Sequence, residues 1–139
     1  MYDRPDPIEQ LEAVAAFLRE QAMPQLQGQA AFHARVAANM LDVVARQLKR
    51  APDAEAGEAA RLRELLGMDG SIEALNRELC LRIADGRLGL QTSRLMVHLW
   101  QVTLDKLAVD QPRYESYVRL LAGASLPADG TNTTQTKGM

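Results

Sequence analysis

The sequence predicts an all-α fold, a compact bundle of five to six helices with a disordered C-terminal tail, and three observations carry that expectation. Apolar residues recur at helical spacing through most of the first 121 residues, while the alternation of a half-buried strand is almost absent. Capping residues and proline or glycine breaks divide these stretches into segments of helix length. The connections are short, the longest being Gly86 to Gln91, which makes successive helices antiparallel neighbours.

Each element has its own signals. Asp6, Pro7 and Glu9 supply an N-cap, a proline at the first helical position and a capping-box acid. Ile8, Leu11, Val14, Ala15 and Leu18 continue this first helix, which ends near Met23 because Pro24 disfavours helix in the residue before it and Gly28 opens a turn. A second helix is expected from Gln29 to Arg50, stopping before Pro52. A third, rich in alanine, is expected from Asp53 to Leu66, with Gly57 weakening its first turn and Gly67 suited to a left-handed C-terminal position. Ser71 caps a fourth helix whose stripe is Ile72, Leu75, Leu79 and Ile83 and which Gly86 closes. Thr92 or Ser93 caps a fifth, running to Asp110; Pro112 ends it, and a short last helix spans Arg113 to Leu121. The 21 alanines favour close helix approach, and the second and fifth segments, the longest and most apolar, belong at the centre.

Length and composition bound the class. A chain of 139 residues fits one domain, here residues 1–122 followed by a polar tail at 123–139, and folding at that size hides roughly two-thirds of the chain's surface. Hydrophobic residues make up 47% and charged residues 24%, a globular balance without an apolar run of bilayer length. The start MYDRPDPIEQ lacks the basic-then-apolar pattern of a secretory signal, and Cys80 is the single cysteine, so a reducing cytoplasm is the expected compartment. The net charge of −2 and the one short basic cluster, Arg46, Lys49 and Arg50, placed where cations favour a helix C-terminus, argue against nucleic acid as a partner.

Two apolar stretches, AFHARVAANMLDVV at 31–44 and LMVHLWQVTLDKLAV at 95–109, carry polar residues where a simple core would have none. Such groups are costly to bury without partners, so they either stitch helices together or form a site. At 3.6 residues per turn His33, Val36, Ala37, Met40, Val44 and Leu48 share one stripe, with Phe32, Arg35, Asn39 and Val43 on the adjoining one, and both are candidates for burial. His33 reads as a neutral imidazole at the core edge, bonded to a carbonyl. Arg35 and Asn39, one turn apart, either hold a carboxylate or phosphate oxygen jointly or cap a neighbouring helix. Asn76 reads as an amide that sets helix register, and Cys80 as a small buried hydrophobe. His98 and Asp105 are roughly 10 Å apart along their helix and do not pair. Lys106 with Asp110 reads as a surface pair, whereas Asp105 is expected to face Arg35. The expectation is a polar set of Arg35, Asn39, Asn76 and Asp105 that joins the second, fourth and fifth segments with no pocket beside it.

No metal-ligand spacing accompanies His33 and His98, and no phosphate loop, nucleophile elbow or redox cysteine pair is present, so no metal, cofactor or catalytic residue is assigned. The opening MYDRP, the segment AFHARVAANMLDVV, the pairs Leu75–Asn76 and Leu79–Cys80, and the closing DKLAVDQPRY resemble a family of uncharacterised bacterial helical domains. The resemblance runs to Tyr114, and its motif positions fall on His33, Arg35, Asn39, Asn76, Asp105, Lys106, Asp110, Pro112 and Tyr114. It implies genomic neighbours that are acyl-CoA dehydrogenases and aminoglycoside-phosphotransferase-like kinases, and it implies no activity.

Three functional expectations result. The leading one is a non-catalytic accessory protein that binds a kinase-like or acyl-CoA-metabolising partner, with a homodimer as a possible form. The alternative is a small-ligand or acyl-CoA-binding domain whose anion site is Arg35, Asn39 and Lys106. The third is an enzyme with His33 as base and Asp105 as its orienter.

Overall fold

The computed structural model describes residues 4–123, and five α-helices account for most of them: α1 (Pro7–Phe17), α2 (Gly28–Leu66), α3 (Ile72–Ala84), α4 (Ser93–Asp110) and α5 (Glu115–Leu121). The all-α class is therefore as expected; the polar segment 124–139 lies outside the described residues. None of the helices is long and apolar enough to cross a membrane.

The local signals at the helix ends act as their chemistry requires. Asp6 Oδ1 accepts from the Ile8 and Glu9 amides at 2.8 and 2.9 Å while Glu9 Oε2 accepts from the Asp6 amide at 2.9 Å, a complete capping box. Helical winding continues past Phe17 through a π turn, Leu18–Ala22, and a 3-10 turn, Met23–Gln25, that places Pro24 in a first turn where its missing N–H costs little. Ser71 Oγ accepts from the Ala74 amide at 3.3 Å, and Gly67, at φ 66°, ends α2 in the left-handed conformation. Thr92 departs from its expected role: its hydroxyl accepts from the Gly89 amide at 3.4 Å and gives α4 no side-chain cap. The last helix begins at Glu115, two residues later than expected.

The largest correction concerns the second and third predicted helices, which are one continuous 39-residue helix, α2, with Pro52 inside it. Proline there removes the amide that would bond Leu48's carbonyl, an interruption of about 3 kcal/mol. Two features offset it. Leu48 is half-exposed, on a stretch of helix open to water, and α4 lies across the joint, bonded to Arg46 on one side and paired with Arg61 on the other. The helix, about 58 Å long at 1.5 Å per residue, is the spine of the molecule. Arg46, Lys49 and Arg50 consequently sit in mid-helix, not at a C-terminus.

α1, α3 and α4 each pack on that spine. α1 runs antiparallel to its first half, with Arg19 to Asp42 at 2.6 Å and Lys49 to Glu12 at 2.9 Å as the rungs. Ala15, Ala38 and Ala45 are all buried, the small side chains that permit close approach of two helices. α4 is also antiparallel to α2: Arg94 pairs with Glu64 at 3.1 Å near its start, and Arg46 Nε donates to the Val109 carbonyl at 2.8 Å near its end. α3 closes the far end, where Leu62, Leu66, Leu75, Leu79 and Leu95 form the apolar core. Arg82 fastens it by donating to the Leu66 carbonyl at 2.9 Å while pairing with Glu78 at 2.7 Å. Cys80, one position beyond the inward Leu79 and so turned about 100° away, is exposed and not buried as expected.

Candidate functional site

The polar cluster that joins α2, α3 and α4 lies in the second half of α2, not the first. α4 turns His98, Gln101 and Asp105 toward α2, positions separated by three and four residues and therefore on one face. α2 answers with Glu58 and Arg61, one turn apart, and α3 adds Asn76. Asn76 Nδ2 donates to Glu58 Oε1 at 2.8 Å, and Gln101 Nε2 donates to Asp105 Oδ1 at 2.9 Å. Arg61 Nη2 lies 3.6 Å from Asp105 Oδ2, an ion pair too long for a hydrogen bond. The Nε and Nη2 atoms of Arg61 are buried without an acceptor, as is Nδ1 of His98.

His98 is the one buried polar residue among those described, at 2% exposure. Burial depresses its basicity most, the Arg61 charge lowers it further and Glu58 partly offsets both, so the imidazole stays neutral at neutral pH. A neutral imidazole in this position avoids the cost of a buried charge, although its Nδ1 remains without a partner.

Beside this cluster a groove runs between α2 and α4, formed by two adjoining cavities of about 320 and 430 Å³ that share Gln47, Ala51, Ala54, Asp105 and Val109. One arm reaches Lys49, Arg50, Asp53 and Arg61; the other reaches Glu55, Glu58, Lys106 and Asp110. Three cations thus meet one carboxylate in the first arm and one lysine meets three carboxylates in the second, with Asp105 common to both. A third cavity, about 670 Å³, lies where α4 ends, with Asn39 and Arg46 on one wall and Asp110, Pro112 and Tyr114 on the other. A fourth, about 250 Å³, is apolar and lies between α4 and α5, walled by Trp100, Leu104, Leu107, Tyr114, Tyr117 and Leu120.

The six residues expected to carry a site are distributed among these places. Asn76 joins α3 to α2 as its amide chemistry suggests, but through Glu58. Asp105 faces Arg61 and not Arg35, because Arg35 lies 26 positions earlier on the same helix, about 39 Å away. Arg35 is exposed; Asn39 accepts from Arg19 Nη2 at 3.1 Å, in a bridge that includes Asp42. Lys106 lines the groove, with no ion pair to Asp110. Asn39 therefore lines one cavity, Lys106 another and Arg35 neither, so the anion site expected from these three does not assemble. His33 is exposed too, its ring edge-on to Phe32 at 5.7 Å between centroids, far from Asp105's end of the helix. The stripe from His33 to Leu48 is a surface because α1 occupies the opposite side of α2.

Sequence reasoning did not single out Glu58, Arg61 or Arg19, and it read Arg46 only as part of a basic cluster. One signal was available for the first two: a carboxylate and a guanidinium one turn apart, flanked by Ala59, Ala60 and Leu62, mark a partly buried helix face. Among the described residues no group of three metal-ligating side chains occurs.

No curated protein and no solved structure matches the chain. A family model described as a domain of unknown function, DUF6285, matches residues 24–114. The match covers α2, α3 and α4 and ends at Tyr114, leaving α1 and α5 outside. The spine helix, the two helices that build the core and the whole α2–α4 groove thus fall within it, and on that coverage the chain belongs to the DUF6285 family.

Proposed function

We propose that this chain is a non-catalytic accessory protein that binds another protein, and that the apolar cavity between α4 and α5 receives the partner's anchoring side chain. The observation that supports this reading is the cavity itself: about 250 Å³ walled by Trp100, Tyr114 and Tyr117 with leucines between them. Aromatic-lined concavities of that kind accept one buried apolar anchor, and tryptophan and tyrosine dominate binding energy where partners desolvate them. Trp100 is half-exposed, with Met96 and Val97 exposed one turn before it, so the apolar surface continues outward from the cavity. The family resemblance nominates the partner as a phosphotransferase-like kinase or an acyl-CoA-metabolising enzyme.

Purification of the native protein with its associated proteins tests this. Near-stoichiometric retention of an enzyme of either class is expected, lost on Thr103→Trp, which fills the cavity from an exposed position. Retention of neither class overturns the proposal. Stabilisation by acyl-CoA esters that Thr103→Trp abolishes assigns the cavity to an acyl chain and overturns it equally.

A further inference from the structure

The half of α2 that precedes Pro52 is covered by α1 along one side and met by the end of α4 at Arg46, and it is open between them. Phe32, Val36, Met40, Val44 and Leu48 follow one another at four-residue intervals along the open side, each between 40% and 58% exposed. Met40, at the middle of this ridge, points roughly 160° away from the buried Ala38 that faces α1. Of the bordering residues, His33, Ala37, Asn39, Gln47 and Ala51 are uncharged, and Arg35, three residues after Phe32, sets one cation at the rim. Five large apolar side chains in one uncharged row present on the order of 400 Å², a patch at the size where interaction sites begin.

The order of the side chains points to what covers it. Outward from Met40 the ridge meets a valine in each direction, Val36 and Val44, and then a large residue in each direction, Phe32 and Leu48. A row with that symmetry is complementary to itself under a two-fold axis beside Met40 that sets the two helices antiparallel. Val36 then meets Val44 of the second copy, Phe32 meets Leu48, and the two methionines share the centre. We propose that a second copy of this chain docks on the ridge, giving an isologous homodimer through α2.

Ridge direction also sets the crossing. The apolar row follows the i±4 line, inclined to the helix axis, and two such rows interdigitate at about −50°. The line parallel to the axis passes His33 and Gln47, so a coiled-coil pairing would desolvate polar groups that the inclined pairing leaves at the rim. Together with those borders the two ridges cover roughly 1,200 Å², the area at which specific stable interfaces start. The surface is separate from the α4–α5 cavity and its occupancy is independent of it.

Sedimentation equilibrium of the full chain tests the proposal up to about 300 μM, where dimer is expected to predominate. Met40→Glu places two carboxylates across the two-fold axis and is expected to weaken the dimer at least 100-fold with helical content unchanged, since the site is exposed. Val36→Lys and Val44→Glu are each expected to weaken it about tenfold or more, and the double variant to recover most of the loss, because each position faces the other only in the antiparallel arrangement. A monomer at the highest concentration overturns the proposal, as does a dimer indifferent to Met40→Glu. A double variant weaker than either single one overturns the antiparallel geometry. A monomer that loses a co-purifying enzyme on Met40→Glu assigns the ridge to that enzyme instead, and Thr103→Trp, which leaves the ridge untouched, separates that outcome from failure of the cavity proposal.

Discussion

Removing the carboxylate of Asp105 probes the α2–α4 junction more sharply than any core truncation. Arg61 Nε and Nη2 are buried without a hydrogen-bond acceptor, and Asp105 Oδ2 at 3.6 Å is the charge that balances them. Breaking a fully buried pair costs about 3–5 kcal/mol, whereas an exposed pair is worth about 0.2–1 kcal/mol. The two side chains are 27% and 33% exposed, which screens the interaction. Asp105→Ala is therefore expected to cost about 2 kcal/mol, between those limits, and to lower Tm by about 8 °C in a domain of this size. Arg61→Met is expected to cost less, about 1 kcal/mol, since the remaining carboxylate keeps Gln101 as donor and faces the groove. The double variant leaves no unpaired charge and is expected to be more stable than Asp105→Ala alone, with a coupling of about 1–2 kcal/mol. Urea unfolding followed by circular dichroism measures all four corners of the cycle. If the double variant loses the sum of the single losses, the two charges do not support each other and the account of the junction is wrong.

Other outcomes can be stated briefly. Leu75→Ala, at a fully buried position in the leucine core, is expected to cost about 3 kcal/mol, against under about 0.5 kcal/mol for Leu90→Ala at an 82% exposed one; thermal unfolding distinguishes them. His98 binds its proton more weakly folded than unfolded, so below its unfolded value near 6.5 the unfolded chain holds more protons, and stability falls with falling pH until the folded value is passed; His98→Gln flattens that part of the stability–pH curve. Pro52→Ala restores an amide to the α2 ladder and is expected to stabilise by about 2 kcal/mol after the entropy proline removes from the unfolded chain; a lowered Tm would mean that the interruption is used elsewhere. Asp6→Ala removes the two bonds that Asp6 Oδ1 accepts from the Ile8 and Glu9 amides and is expected to cost about 1 kcal/mol by the same measurement.

Much of the helix punctuation was legible in the sequence because it is local. The Asp6–Glu9 box, the Ser71 cap and the Gly67 terminus each involve groups within a few residues of one another, and the structure realises all three. Pro52 misled because the break is a local preference and the continuity of α2 a tertiary effect: α4 lies across the joint and supports both sides. Polar insertions were harder still. His33 and His98 each sit in an apolar helical stretch, yet one is exposed and the other is 2% exposed. Periodicity identifies stripes on a helix, but which stripe is covered depends on where neighbouring helices lie.

By itself the sequence determined the all-helical class and most helix termini, because these depend on spacing and short-range hydrogen bonds, and it shows no apolar run of bilayer length. Asn76 and Asp105 were also recognisable as interhelical groups, since a polar side chain beside an apolar stripe needs a partner. Only the tertiary structure decided that the partners are Glu58 and Arg61 and not Asn39 and Arg35. A continuous α2 carries Arg35 about 39 Å beyond reach of the junction, and the same continuity leaves the row from Phe32 to Leu48 facing solvent. A single helix that did not stop at its proline thus set the Asn76 and Asp105 contacts on one half of the spine and left an open apolar row on the other.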